Sequence, residues 1–133
     1  MNRLLYEIQE IDNSITRLKR ERSKLDDGSA LRAERSTLEK AVAAAKDRLS
    51  HLNAQRGNKE LELATAEEKI TRQQGRLMSA TNAHEVNSLQ RDINALNKAR
   101  GDLDEAILML MDEIESCSAR LVELQQELGA KES

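Results

Sequence analysis

"LMSATNAHEVNSLQRDI", residues 77–93, interrupts an otherwise regular pattern. On either side of it, Leu or Ile recurs in steps of three and four through charged, helix-forming sequence. That alternation averages ~3.5 residues and marks the apolar seam of a coiled coil. Between Leu77 and Val86 the beat stops for nine residues, a gap that neither a three- nor a four-residue step fits. Asn82 followed three residues later by Glu85 resembles a capping box, with Asn in place of Ser or Thr. Gly75 offers a stop for the helix before it. The stretch therefore predicts a short connection over 78–82 between two antiparallel helices. One continuous helix with a skip in its repeat is the alternative.

Outward from this tip, the seams define the elements. On the C-terminal side, Val86, Leu89, Ile93, Leu96, Arg100, Leu103, Ile107, Leu110, Ile114, Cys117, Leu121, Leu124 and Leu128 follow the alternation, and only Arg100 is polar. This predicts a helix over 83–129 with one dry stripe, about 70 Å long at ~1.5 Å per residue. On the N-terminal side, Leu31, Arg35, Leu38, Val42, Ala45, Leu49, Leu52, Arg56, Lys59, Leu63, Ala66, Ile70, Gln73 and Leu77 predict a helix over 30–77. A third seam runs through residues 1–26: Leu4, Ile8, Ile11, Ile15, Leu18, Arg22 and Leu25. From Leu25 to Leu31 is six residues where seven are due, which overwinds a coiled coil locally. Asp26, Asp27 and Gly28 are weak helix formers, and Ser29 could cap a new start. A kink or break is expected at 26–29. The fold class read from the sequence is all-α, in a single domain over 1–133. It is a long antiparallel coiled-coil hairpin with an additional kinked N-terminal helical segment.

A tip near residue 80 places opposite each other residues whose numbers add to about 160, within a turn. The chain end then lies opposite residue 27, and nothing in the hairpin covers the seam from Leu4 to Leu25. An apolar stripe of that length is not expected to stay exposed. Three outcomes follow: it folds back as a third helix, it forms a homodimer through 1–25, or the chain is a fragment of something longer. The same arithmetic brings Arg100 near Glu60, Arg56 near Asp104, and Gly57 near Gly101. A charged, loosely packed layer is expected there. Such a layer can fix register at some cost in stability, or be no more than solvated charge at a frayed seam.

Composition narrows the function classes. The chain has one Tyr and no Phe, Trp or Pro, while Lys and Arg number 21 and Asp and Glu 24. Without large aromatic side chains to supply buried area, a compact multilayered core is not expected. The mixture of charged helix formers with apolar periodicity is that of long helices. Net charge is −3, with acids and bases interleaved, so the basic stripe of a nucleic-acid binder is absent. The richest basic stretch is Arg17, Lys19, Arg20, Arg22 and Lys24, with Glu21 the only acid inside it. It reads first as a solvated face and second as a phosphate or partner contact. The lone Cys117 excludes an intramolecular disulfide framework and a four-cysteine zinc site. No apolar run approaches the ~20 residues of a membrane span, and the N-terminus is too polar for a signal peptide. A cytoplasmic location without membrane contact is expected.

The wording of three segments resembles a known family. "LLYEIQEIDNSITRLKRERSKL" (residues 4–25) is similar to the opening helix of bacterial coiled-coil proteins that carry a C-terminal C4-type zinc ribbon, through Leu5, Ile8, Gln9, Ile11 and Asp12. More specific is the run Asn82, Glu85, Val86, Leu89, Asp92, Ile93 and Leu96, which resembles that family's Asn-x-x-Glu element. Asp92 stands where a Glu is usual, and Val86 where a larger residue is. "LDEAILMLMDEIE" (103–115) is similar to a third family segment. The resemblance covers the whole chain up to the ribbon, whose two Cys-x-x-Cys pairs are not in this sequence. Zinc is therefore expected only in a C-terminal part that is missing here, and no cofactor in this chain. Cys117, on the seam, reads as a small buried residue, and His51 as a solvated one.

The function expected is that of a non-enzymatic interaction module, since the resemblance implies an adaptor or chaperone-like role. The partner-binding candidates are Asn82, His84 and Glu85 at the tip, although capping alone accounts for Asn82 and Glu85. The alternative is nucleic-acid binding through Arg17 to Lys24. An enzyme is not expected, because a catalytic site needs a pocket with converging polar groups and a two-helix hairpin forms none. Glu67, Glu68, Asp26 and Asp27 read as surface or turn acids.

Overall fold

The computed structural model describes residues 2–132. Two helices account for nearly all of them: α1, Asn2–Ser79, and α2, Ala83–Glu132. They pack against each other as an antiparallel hairpin, with residues 80–82 as the turn. The sequence reading places that turn at 78–82. Both helices persist because Ala, Leu, Glu, Lys, Gln and Arg dominate their length and cost little in helix propensity.

One compact unit runs from Ala44 to Glu123 and contains the tip. Its two seams face each other. From Ala45 to Leu77 on α1, and from Leu89 to Leu121 on α2, every seam position is buried or half-buried. Leu52 is the most deeply enclosed at 1% exposure, and Ile70, Leu89, Ile93 and Ile107 are also in the core. Burying such a side chain fully contributes about 1.5–3 kcal/mol, so this narrow stripe supplies most of the driving force. Cross-helix pairs fix the register. The Cys117 thiol donates to the Ala45 carbonyl at 3.5 Å, and Arg48 meets Glu113 at 3.2 Å. The Arg48–Glu113 pair is half-exposed on both sides and adds little stability.

The polar layer is charged, and its ion pairs run along α1. Arg56 and Arg100 are half-buried on the seam, but Arg56 donates along its own helix to Glu60 at 2.9 Å, and Lys59 pairs with Glu62 on the same helix. Among the described residues, no ion pair links Arg100 to Glu60 or Arg56 to Asp104. Partners four apart on one helix lie only about 6 Å apart at Cβ, which favours the local pairing. Beside these arginines, a Cβ added at Gly57 or at Gly101 would meet nothing within 4 Å.

The second unit is formed by α1 up to Ala43 and α2 from Leu124. Val42 and Leu124 form its core. At the end of α2, Arg35 reaches across and donates through Nη2 to the Lys131 carbonyl at 3.1 Å. Lys131 in turn pairs with Glu34 at 3.0 Å. The last four carbonyls of a helix have no partner within it, and a cation there also meets the negative end of the helix dipole. Arg35 thus acts as a C-terminal cap supplied by the other helix, although its Nε is buried without a partner.

Two expectations are corrected in this unit. The break at 26–29 does not occur: α1 continues through Asp26, Asp27, Gly28 and Ser29. A single Gly costs only about 1 kcal/mol relative to Ala inside a helix, and there is no Pro to remove a backbone bond. No glycine takes a positive φ, and Arg32 donates back to the Gly28 carbonyl at 3.3 Å. Nor do residues 2–25 fold back as a third helix, because they are the first turns of α1 itself. Among the described residues, no helix is long and apolar enough to cross a membrane.

Candidate interaction surface

Among the described residues, exposed large apolar side chains follow one another at the start of α1. A three–four alternation on a helix of 3.6 residues per turn gathers its members on one side. Leu4, Ile8, Ile11, Ile15, Leu18 and Leu25 accordingly form a stripe, and each is between 46% and 67% exposed. Ile11, Ile15 and Leu18 line a shallow groove with Glu7, Glu10 and Ser14. Arg22 occupies the remaining seam position and is exposed. Near the end of α2, Lys131 meets Glu34 and Arg35 of α1, and the stripe before them is exposed among the described residues.

The basic stretch is on the same segment but is not one patch. At ~100° per residue, Arg17, Arg20 and Lys24 lie on the side away from the apolar stripe, Arg22 lies within it and Lys19 borders it. All five are exposed, and none forms an ion pair or hydrogen bond among the described residues.

At the tip, Asn82 does the work of a helix cap. Its Oδ1 accepts from the Glu85 backbone N–H at 2.8 Å, and its carbonyl accepts from Val86 at 3.1 Å. The preceding helix ends with the Ala80 N–H donating to the Leu77 carbonyl at 3.2 Å. The Glu85 carboxylate makes no hydrogen bond among the described residues, so only the Asn82 half of the capping box forms. Glu85 still lies in the first turn of α2, where a negative charge meets the positive end of the helix dipole. His84 is exposed and makes no described side-chain contact.

One apolar feature escapes the seam reading. Leu108 and Met109 are more than 60% exposed on α2, and Met111 is partly so. Met109 lines an open groove with Ala106 and Leu110 and with Gln55, Asn58 and Glu62 of α1. The signal in the sequence is a surplus: "ILML" (107–110) holds two more apolar residues than its two seam positions need.

The zinc that the resemblance implies finds no ligand set in these residues. Cys117 stands 33 positions beyond His84 on the same helix, about 50 Å at ~1.5 Å per residue. Among the described residues, no three His, Cys, Asp or Glu side chains gather as a metal site requires.

Comparison with curated proteins and with solved structures gives no match. A family model does match, over residues 8–133, and its description, a coiled coil hairpin domain, is the architecture seen here. The chain belongs to the family of the CT398-like coiled coil hairpin domain.

Proposed function

We propose that this chain is a non-enzymatic interaction module of adaptor or chaperone-like type, which offers the exposed seam of α1 to a protein partner. The observation that carries this reading is the uncovered stripe from Leu4 to Leu25 on a helix that is already formed. Exposed apolar surface of this continuity marks interaction sites, and a preformed amphipathic helix is a common docking element. The grooves along the hairpin are shallow and open, whereas catalysis needs a site that excludes water and converges polar groups.

The test is a double substitution on the stripe, Ile11→Asp with Ile15→Asp. Both side chains are exposed, so helix content and melting should stay as in the wild type. Recovery of partners held by this face, an untagged second copy of the chain among them, should drop at least tenfold. Equal recovery with both chains would overturn the proposal.

A further inference from the structure

We propose that the occupant of the Leu4–Leu25 stripe is a second copy of this chain, bound antiparallel so that Ile8 faces Leu25, Ile11 faces Arg22 and Ile15 faces Leu18. This rests on the reading of the stripe as a docking surface and goes beyond it by naming the partner, its direction and its register.

Charge complementarity along the seam edges sets the direction and the register. In a two-stranded coiled coil, the positions flanking the core decide direction and register. One edge of the stripe carries Leu5, Asp12, Lys19 and Asp26, and the other carries Glu7, Ser14, Glu21 and Gly28. In a parallel, in-register dimer the two edges meet each other. Glu7 would then face Asp12 and Glu21 would face Asp26, twice each by symmetry, and Arg22 would share its core layer with the other Arg22. Every charged contact of that arrangement is repulsive.

In an antiparallel dimer, each edge meets its own counterpart. In the proposed register Asp12 faces Lys19 of the second copy, and the symmetric contact repeats it. Leu5 meets Asp26, Ser14 meets Glu21, and Glu7 meets Gly28, so no like charges are opposed. Sliding by one heptad in one direction brings Asp12 against Asp12 and Glu7 against Glu21. Sliding in the other direction brings Lys19 against Lys19 and Asp12 against Asp26. Of these three registers only the proposed one escapes repulsion, and it pairs every seam position from Ile8 to Leu25. Like charges placed face to face are an established means of excluding wrong partners.

The hairpin leaves room for this arrangement. In this register the second copy's first described residue reaches about as far as Leu31, one turn short of where Lys131 closes on Glu34. The helix needs no new nucleation, the costly step for a short isolated helix, because it is the start of α1.

The test uses the whole chain with Cys117→Ser, so that only introduced thiols react. Light scattering should show the mass rising with concentration towards twice 15.0 kDa. Asp12→Lys should weaken the dimer about tenfold by turning an attractive pair into a repulsive one, twice per dimer. Adding Lys19→Asp to it should restore the affinity, because the pair is then reversed rather than opposed. Finally, Ile8→Cys and Leu25→Cys chains, mixed in a glutathione redox buffer, should form the mixed disulfide and neither homodisulfide. Tighter association on Asp12→Lys, or homodisulfides from each variant alone, would establish a parallel dimer and overturn the proposal. A monomer at all concentrations would also overturn it. In that case, loss of co-purifying proteins on Ile11→Asp with Ile15→Asp would show that the docking surface stands and that its occupant is another protein.

Discussion

The seam from Leu4 to Leu25 and the seam from Ala45 to Leu77 are written in the same repeat and on the same helix, yet they end differently. In the hairpin unit, Leu52 is 1% exposed, while on the N-terminal stripe Leu18 is 63% exposed. Nothing local distinguishes a Leu at one from a Leu at the other. What differs is whether a second helix runs past, and among the described residues the ion pair between the helices nearest the start of α1 is Glu34 with Lys131. A heptad pattern states that a stripe seeks a partner, and coverage depends on where the chain turns and how far it returns.

The sharpest way to break this comparison is to truncate one leucine in each seam. Leu52→Ala should cost about 3 kcal/mol, the transfer loss plus a cavity between packed helices. Leu18→Ala, measured in dilute protein where chains do not associate, should change stability by less than about 0.5 kcal/mol, as for an ordinary surface site. Denaturant melts of both variants decide the matter, and equal losses would mean that the two seams are alike after all.

A smaller effect sharpens the picture of the covered seam. Gly57 and Gly101 are helical and have open space where a Cβ would sit. Gly57→Ala with Gly101→Ala should stabilise by about 2 kcal/mol in total, since each removes the backbone entropy penalty of glycine without a clash. Hydrogen exchange should slow around this layer first. If the double variant is destabilised, the layer is packed more tightly than its geometry indicates.

The smallest effect concerns the turn that makes coverage available. Asn82→Ala should cost about 1 kcal/mol, the usual worth of an N-cap, and should raise exchange at the Glu85 amide. A conservative Asn82→Asp should recover most of that loss, because the carboxylate can accept the same bond. If stability is unchanged by Asn82→Ala, the chain reversal is held by the seams alone.

Much of this architecture was legible residue by residue. The nine-residue gap from Leu77 to Val86, with Asn82 as cap, located the turn to within two residues of its observed ends. From Ala45 to Leu77 and from Leu89 to Leu121 the seam positions are the covered ones, because a 3.5-residue repeat leaves only one stripe able to face a partner. Weaker signals misled. Asp26, Asp27 and Gly28 read as a break, but their propensities are small beside the cooperativity of a long helix. Counting from the tip places Arg56 near Asp104 across the hairpin but does not show its ion pair, which is with Glu60 one turn along its own helix. The patch at Leu108 and Met109 was hidden because a search for the seam discards apolar residues that lie off it.

The sequence by itself determined that this chain is helical, where it reverses, and which stripe of each helix is apolar. These are local properties, set by propensity, capping and spacing. Only the tertiary structure decided that α1 stays helical through 26–29, that Arg35 caps the end of α2, and that the first seam is exposed among the described residues. Those outcomes depend on which groups come within a few ångströms of one another in space. That proximity is not encoded at any single position, and it follows from the path of the second helix relative to the first.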